Sequence, residues 1–197
     1  MRILLVLPAL LFASCSIRTP LTYLGHYQIQ DPRVDGFTVC KSYGCHKTSW
    51  LSYTPEEWRD ICSIFEPAPV NASRERERIR MAIGRMEQII GAKNDTGRDN
   101  ARNKMFGARG NQLDCIAEAT NTTVSLLLLE KEDLLRFHKT GNPQHRGLIQ
   151  LKFPHNTASI IELANGDHYA VDSWFHAGGE MPEIVRVDVW KAGYDPR

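Results

Sequence analysis

The sequence lacks several features that would indicate a function directly. Its 24 basic and 23 acidic residues leave a formal net charge of +1, so no excess of either sign favours a nucleic acid as partner. It contains no internal repeat and no low-complexity tract, and its length fits one domain with a proper core. Its apolar run at residues 3–12 is too short to span a bilayer as a helix.

That apolar run is typical of a secretory signal peptide. Arg2 supplies a positive n-region, and the run ends at Phe12-Ala13-Ser14-Cys15. These four residues resemble a bacterial lipoprotein cleavage box, which implies cleavage before Cys15 and lipidation of its thiol. Ser16, by the same resemblance, permits export to the outer membrane, facing the periplasm. The alternative is an ordinary secretory signal with an incidental cysteine.

Cysteine is scarce, with five residues in the chain. If Cys15 is lipidated, four remain, and an oxidising periplasm favours their pairing. Cys40, Cys45 and Cys62 allow alternative disulfides, and their spacing does not choose among them. If Cys115 is a working nucleophile it stays unpaired, which leaves an odd cysteine among the other three.

Changes in composition divide the chain into parts. They are a signal peptide (1–14), a lipid anchor and tether (15–35), a mainly helical part (36–92), a loop (93–110) and a catalytic part (111–197). We expect residues 36–197 to form one compact domain.

Two helices are predicted in the mainly helical part. Thr54 as N-cap, Pro55 in the first turn and Glu57 three residues after the cap predict the first helix. Ser73 is predicted to cap the second. The alternating charges of residues 74–78 favour a solvated surface on that helix.

The C-terminal part shows strand patterns. Residues 148–153, 157–163 and 168–174 predict three strands, and Asn165-Gly166 is a hairpin signal between the last two. A final strand or short helix is predicted at residues 184–190. The expected fold class is therefore α+β, with a helical N-terminal part and a catalytic helix packed on an antiparallel sheet.

Cys115 is the most informative residue. It follows the turn-like residues Asn111-Gln112-Leu113-Asp114 and opens a helical pattern, so we expect it at a helix N-terminus, where N–H groups and the helix dipole stabilise a thiolate. His155 follows 40 residues later at the start of a predicted strand, and Asp172 lies on the next strand. This order is that of a nucleophile, a base and an orienting carboxylate.

Three short pieces around these residues resemble the transglutaminase-like superfamily, including the bacterial transglutaminase-like cysteine proteinases. They are Asp114-Cys115-Ile116-Ala117-Glu118-Ala119, His155-Asn156-Thr157-Ala158 and Tyr169-Ala170-Val171-Asp172-Ser173-Trp174. The resemblance covers about a third of the chain. It implies a papain/transglutaminase-like fold in which a helix carries the cysteine and adjacent antiparallel strands carry the histidine and the aspartate.

The predicted hairpin leaves one geometric question open. A two-residue turn at Asn165-Gly166 would pair Asp172 with Ser159, four residues from His155 or about 13 Å along the strand. A longer loop, a bulge or strong twist must close that gap if the two side chains are to form a hydrogen bond.

The predicted chemistry is attack on an amide. The Cys115 thiolate attacks the carbonyl, His155 holds the proton and delivers it to the leaving amine, and Asp172 fixes the imidazole tautomer. The Cys115 backbone N–H is one oxyanion donor, and the Gln112 side chain is the candidate second donor. Water as acceptor gives hydrolysis and an amine gives transamidation, so both outcomes stay open.

This mechanism requires no cofactor and no metal, and the sequence has no coherent acidic loop for Ca²⁺. The other histidines lack a recognised ligand spacing, which favours surface positions for them; among them are His138, His145, His168 and His176. Asp167 is an alternative carboxylate, but its place beside Gly166 favours a role in the turn.

Two hypotheses follow. The first is a lipid-anchored thiol hydrolase or acyltransferase of the bacterial cell envelope, acting on protein or peptidoglycan amides and attached to the membrane through Cys15. The second is a catalytically inactive envelope lipoprotein that serves as a structural or binding module, with Cys115 buried and inert.

Overall fold

The computed structural model describes residues 19–103, 110–147 and 154–196. Within these ranges the helices are α1 (Pro20–Gly25), α2 (Pro55–Ser63), α3 (Ala72–Asn94), α4 (Cys115–Lys131) and α5 (Val187–Lys191). The strands are β1 (Phe37–Cys40), β2 (Thr48–Leu51), β3 (His138–Arg146), β4 (His155–Glu162), β5 (His168–Asp172) and β6 (Glu183–Arg186). β1 and β2 form an antiparallel pair, and β3-β4-β5-β6 form an antiparallel sheet in chain order. The predicted α+β class is confirmed.

Helix α4 lies at the centre of the molecule. Every residue from Ala117 to Leu129 is buried, as expected for a helix that is covered on all sides. One side of α4 packs on β3, β4 and β5, and another side packs on β1 and the 3₁₀ turn at Tyr43–Cys45. The N-terminus of α4 is therefore held in a fixed position over the four-stranded sheet.

The compact domain begins earlier than predicted. Residues 15–35 were expected to form an anchor and tether, but Thr19 caps α1, and Leu24 and Ile29 are buried in the main core. α1 packs on α4 and β3, so apolar burial draws this segment into the domain before residue 36. No helix in the described part of the chain is long and apolar enough to cross a membrane.

The two predicted helices of the N-terminal half are present. α2 begins with the predicted capping box, in which Thr54 accepts the Glu57 N–H at 3.2 Å and Glu57 accepts the Thr54 N–H at 2.8 Å. The cap of α3 is Asn71 rather than Ser73, because the Asn71 side chain accepts the Arg74 N–H at 2.9 Å.

The charged stretch at residues 74–78 is not uniformly solvated. Glu75 is fully buried, and its carboxylate accepts the backbone N–H groups of Arg136 and Phe137 at 2.7 and 3.0 Å. The same carboxylate bonds His138 Nδ1 at 2.8 Å, and His138 is buried rather than at the surface. The prediction of a solvated face fails at Glu75 because these donors replace its water shell.

Strand β3 was not predicted. Gly141, Asn142 and Pro143 give its sequence a turn-like character, yet it pairs with β4 along its length and absorbs these residues in an irregularity between Gly141 and Gln144. The predicted strand at 148–153 lies outside the described residues. The final predicted element is a strand followed by a helix, β6 and α5.

Candidate active site

Cys115 is the first residue of α4, at the position expected from the sequence. Asp114 caps the helix: its Oδ1 accepts the N–H of Ala117 at 3.0 Å and the N–H of Gly44 at 2.9 Å. The thiol is unpaired and partly exposed. A partly exposed thiol at a helix N-terminus has the electrostatic setting of a nucleophile rather than that of a small core residue.

A disulfide joins Cys40 to Cys45, and Cys62 and Cys115 are free. This pairing answers the question of the odd cysteine, because Cys62 is the thiol left over. Asn121 of α4 attaches the disulfide loop: its Oδ1 accepts the Cys40 N–H at 2.7 Å and its Nδ2 donates to the Cys40 carbonyl at 3.0 Å. Together with the bond from Gly44 to the helix cap, this contact braces the start of α4.

His155 and Asp172 form a buried pair. The Nε2 atom of His155 lies 2.7 Å from Asp172 Oδ2, and the two side chains are 7% and 1% exposed. The other ring nitrogen, Nδ1, is buried and makes no hydrogen bond of normal geometry to the described residues. Asp172 therefore uses one imidazole nitrogen, and the other could exchange a proton with the Cys115 thiol.

A longer turn than predicted closes the gap between these two residues. The Glu162 N–H donates to the Asp167 carbonyl at 2.8 Å, which leaves four residues in the β4–β5 turn instead of two. Val171 consequently pairs with Ala158, and Asp172 lies two residues nearer His155 than the two-residue turn would place it. Asp167 itself flanks the turn and pairs with Arg186 at 2.7 Å, so it does not substitute for Asp172.

Aromatic rings surround the imidazole of His155. The ring centroids of Trp174, Phe175 and Trp190 lie 4.5, 5.5 and 5.4 Å from its centroid. The Trp190 indole N–H also donates to Asp172 Oδ2 at 2.7 Å. These contacts fix the orientation of both partners and exclude water from them. Trp190 was missed in the sequence because nothing near it in the chain marks a partner for its N–H.

The environment favours the charged form of His155. Burial alone would lower its pKa, but the hydrogen bond to Asp172 and the interaction with Cys115 outweigh burial and raise the pKa to about 9. Cys115 thus acts electrostatically on the ring, although Nδ1 forms no hydrogen bond of normal geometry with the residues that the structure describes.

Comparisons with protein-family models, with curated proteins and with solved structures give no match for this chain. The chemistry of the site is therefore argued from its own geometry. Within residues 19–103, 110–147 and 154–196, no group of three or more His, Cys, Asp and Glu side chains is placed to hold a metal ion.

The side chain of Gln112 forms hydrogen bonds to the loop that precedes α4 and does not reach the thiol through them. Its Oε1 accepts from Asn103 Nδ2 at 2.7 Å, and its Nε2 donates to the Arg98 carbonyl at 2.8 Å. The amide thereby holds the segment that leads into α4. A different amide lies beside the Cys115 thiol, because Asn156 Nδ2 is 3.8 Å from Cys115 Sγ. Asn156 adjoins His155 in the sequence, which is the signal that could have identified it.

Buried carboxyl groups lie behind the start of α4. Burial raises the pKa of Glu118 well above its usual range, and the neighbouring Glu87 and Asp99 raise it further. Burial also raises the pKa of Glu87 to about 7. Glu118 is one helical turn after Cys115, and in its protonated form it carries no charge that would oppose a thiolate there.

Proposed function

We propose that this protein is a cysteine-dependent acyl-transfer enzyme, a thiol hydrolase or acyltransferase that uses Cys115, His155 and Asp172. The observation that carries the proposal is the arrangement of the imidazole. Asp172 lies 2.7 Å from Nε2, while Nδ1 has no hydrogen bond of normal geometry among the described residues and adjoins a partly exposed thiol at a helix N-terminus. A buried structural histidine normally uses both of its nitrogens.

The proposed reaction passes through a thioester. The Cys115 thiolate attacks an amide carbonyl, the new C–S bond forms, and the carbonyl electron pair moves to oxygen. His155 then gives its Nδ1 proton to the leaving amine as the C–N bond breaks. Water or a second amine, deprotonated by His155, attacks the thioester and releases the thiol. Asp172 keeps the proton on Nε2 and stabilises the imidazolium throughout.

The proposal includes a place in the bacterial envelope and a substrate class. Cys15 lies outside the described residues, and its lipidation, a periplasm-facing outer-membrane location and a transglutaminase-like ancestry all derive from sequence resemblance. They make protein or peptidoglycan amides the proposed substrates. Labelling cells with a fatty-acid analogue tests the anchor: the wild-type chain should incorporate it, and a Cys15→Ala chain should not.

Formation of the acyl-enzyme tests the chemistry. The domain from residue 19 onward is treated with p-nitrophenyl acetate, and acetylation is followed by intact mass and peptide mapping. We expect rapid acetylation at Cys115 that is lost in Cys115→Ala and retained in Cys62→Ser. Cys62 is a matched comparison because burial, reinforced by Glu132 and Glu66, raises the pKa of that thiol.

The contrary outcome is equally clear. If Cys115 is acetylated no faster than Cys62, the thiol is not activated, and the inactive binding module becomes the better description.

A further inference from the structure

Asn156 lies at the nucleophile as well as beside His155 in the chain. Its Nδ2 is 3.8 Å from Cys115 Sγ, the length of an N–H···S contact, and its backbone is fixed by pairing with His145 in β3. The side-chain amide of Gln112, the donor expected from the sequence, forms hydrogen bonds to the loop before α4 instead. One amide donor is therefore aimed at the reacting sulfur, and it belongs to Asn156.

We propose that Asn156 is a catalytic residue that forms the oxyanion hole together with the Cys115 backbone N–H. This assignment rests on the proposed acyl-transfer function. The N–H of the first residue in a helix has no partner within that helix, so the Cys115 N–H is available at the residue that carries the thiol. The two donors belong to different elements, α4 and β4, and the Asn156 amide lies 3.8 Å from the sulfur.

The geometry suits an oxyanion rather than the sulfur alone. When Sγ bonds to a carbonyl carbon, the developing O⁻ is attached to that same carbon and lies close to the sulfur. A donor 3.8 Å from Sγ can then stand about 2.7–3.1 Å from that oxygen, the distance an effective oxyanion donor needs. A side-chain amide donates a hydrogen bond without releasing its proton near neutral pH. Asn156 can therefore stabilise the oxyanion while His155 carries out the proton transfer.

Two reactions of the same thiol separate these roles. Acetylation by p-nitrophenyl acetate forms a C–S bond, places the carbonyl electron pair on oxygen, and then expels p-nitrophenolate, which needs no proton. Alkylation by iodoacetamide forms a C–S bond at a saturated carbon and expels iodide, so no oxyanion arises. Only the first reaction should need the Asn156 donor.

The experiment measures both second-order rate constants in Asn156→Ala and in the near-isosteric Asn156→Asp. We expect acetylation to fall by about 10²–10³-fold in both variants. Alkylation in Asn156→Ala should stay within about threefold of the wild-type rate, because loss of one long N–H···S contact changes the thiolate little. Asn165→Ala in the exposed β4–β5 turn is the matched control, and thermal unfolding verifies the fold of every variant.

Three results would overturn the assignment. Acetylation of Asn156→Ala at nearly the wild-type rate would remove the donor role. An equal loss in acetylation and alkylation would show that Asn156 acts on the thiolate and not on the oxyanion. Absence of acetylation in a wild-type protein that is still alkylated at Cys115 would refute the proposed function, and the assignment with it.

Discussion

Two buried histidine–carboxylate pairs in the described part of the chain have similar geometry. In the Cys115 site, defined by Cys115, His155 and Asp172, the Nε2···Oδ2 distance is 2.7 Å. In the Glu75 cluster, defined by Glu75, His138 and Arg76, His138 Nδ1 lies 2.8 Å from the Glu75 carboxylate. A short bond between a buried imidazole and a carboxylate therefore does not identify a reactive site.

The second ring nitrogen distinguishes the pairs. His138 Nε2 faces Arg76 Nη1 at 3.2 Å, and because arginine only donates, both nitrogens of this ring are used. Arg76 in turn pairs with Glu162 at 2.8 Å. His155 Nδ1 has no such partner among the described residues and adjoins Cys115. A closed network holds the fold together, and an open nitrogen is available for proton transfer.

Replacing Asp172 by Asn should give the largest functional difference between the pairs. The variant loses the charge that stabilises the imidazolium, so we expect acetylation of Cys115 to fall by about 10²–10⁴-fold. Glu75→Gln should leave the rate per folded molecule unchanged. The measurement is the rate constant of p-nitrophenol release, corrected for the folded fraction. Equal losses in the two variants would contradict the distinction between a reactive Cys115 site and a structural Glu75 cluster.

At pH 9.5 the same two substitutions should have the opposite order in their effect on the free energy of unfolding. The Glu75 carboxylate accepts from Arg136, Phe137 and His138, so a glutamine NH₂ would face a donor, and we expect a loss of about 2–4 kcal/mol. Within the described part of the chain, Asp172 accepts through Oδ2 alone and Oδ1 has no partner, so asparagine can place its NH₂ there. Urea unfolding at pH 9.5, where the raised pKa of His155 no longer adds to stability, should show a loss below about 1 kcal/mol for Asp172→Asn.

The pH dependence of stability should also differ between the wild type and Asp172→Asn. The pKa of His155 is raised from 6.5 to about 9, so protonated His155 contributes fully to the free energy of unfolding below pH 6.5. That contribution is lost as pH rises through about 9. The loss should approach about 3 kcal/mol. Asp172→Asn removes the main group that raises this pKa and should flatten the profile. Unfolding free energies between pH 6 and pH 9.5 test this; parallel wild-type and variant profiles would refute it.

The smallest expected effect concerns the aromatic donors. Trp190→Phe keeps the ring beside His155 but removes the N–H bonded to Asp172, so acetylation should fall by about five- to tenfold, equivalent to about 1 kcal/mol. Tyr169→Phe removes a 3.4 Å bond to Glu162 beside the Glu75 cluster and should change neither rate nor stability by more than about 0.5 kcal/mol. A larger loss of acetylation rate in Tyr169→Phe than in Trp190→Phe would contradict the role of the Trp190 N–H in the Cys115 site.

The position of Cys115 at a helix N-terminus and the strands that carry His155 and Asp172 could be predicted because local signals mark them. A helix N-cap precedes Cys115, strand patterns carry the other two residues, and the capping box of α2 is equally local. These signals act within a few residues of chain.

The remaining features depend on contacts between distant segments. Asn156 reaches Cys115 across 41 residues, Trp190 reaches Asp172 from a helix after the last strand, and the partners of Glu75 lie 61 to 63 residues away. Strand β3 forms because β4 supplies hydrogen bonds that outweigh its turn-like residues. The β4–β5 register depends on a turn two residues longer than the shortest one its sequence favours.

The most direct test of the central claim is the pH dependence of iodoacetamide alkylation at Cys115. Cys62→Ser serves as background, and His155→Ala and His138→Ala are compared. A thiolate–imidazolium pair predicts a rate that stays high well below pH 7, falls sharply in His155→Ala and is kept by folded His138→Ala. A rate that rises only in alkaline solution, with the same profile in wild type and His155→Ala, would contradict the account.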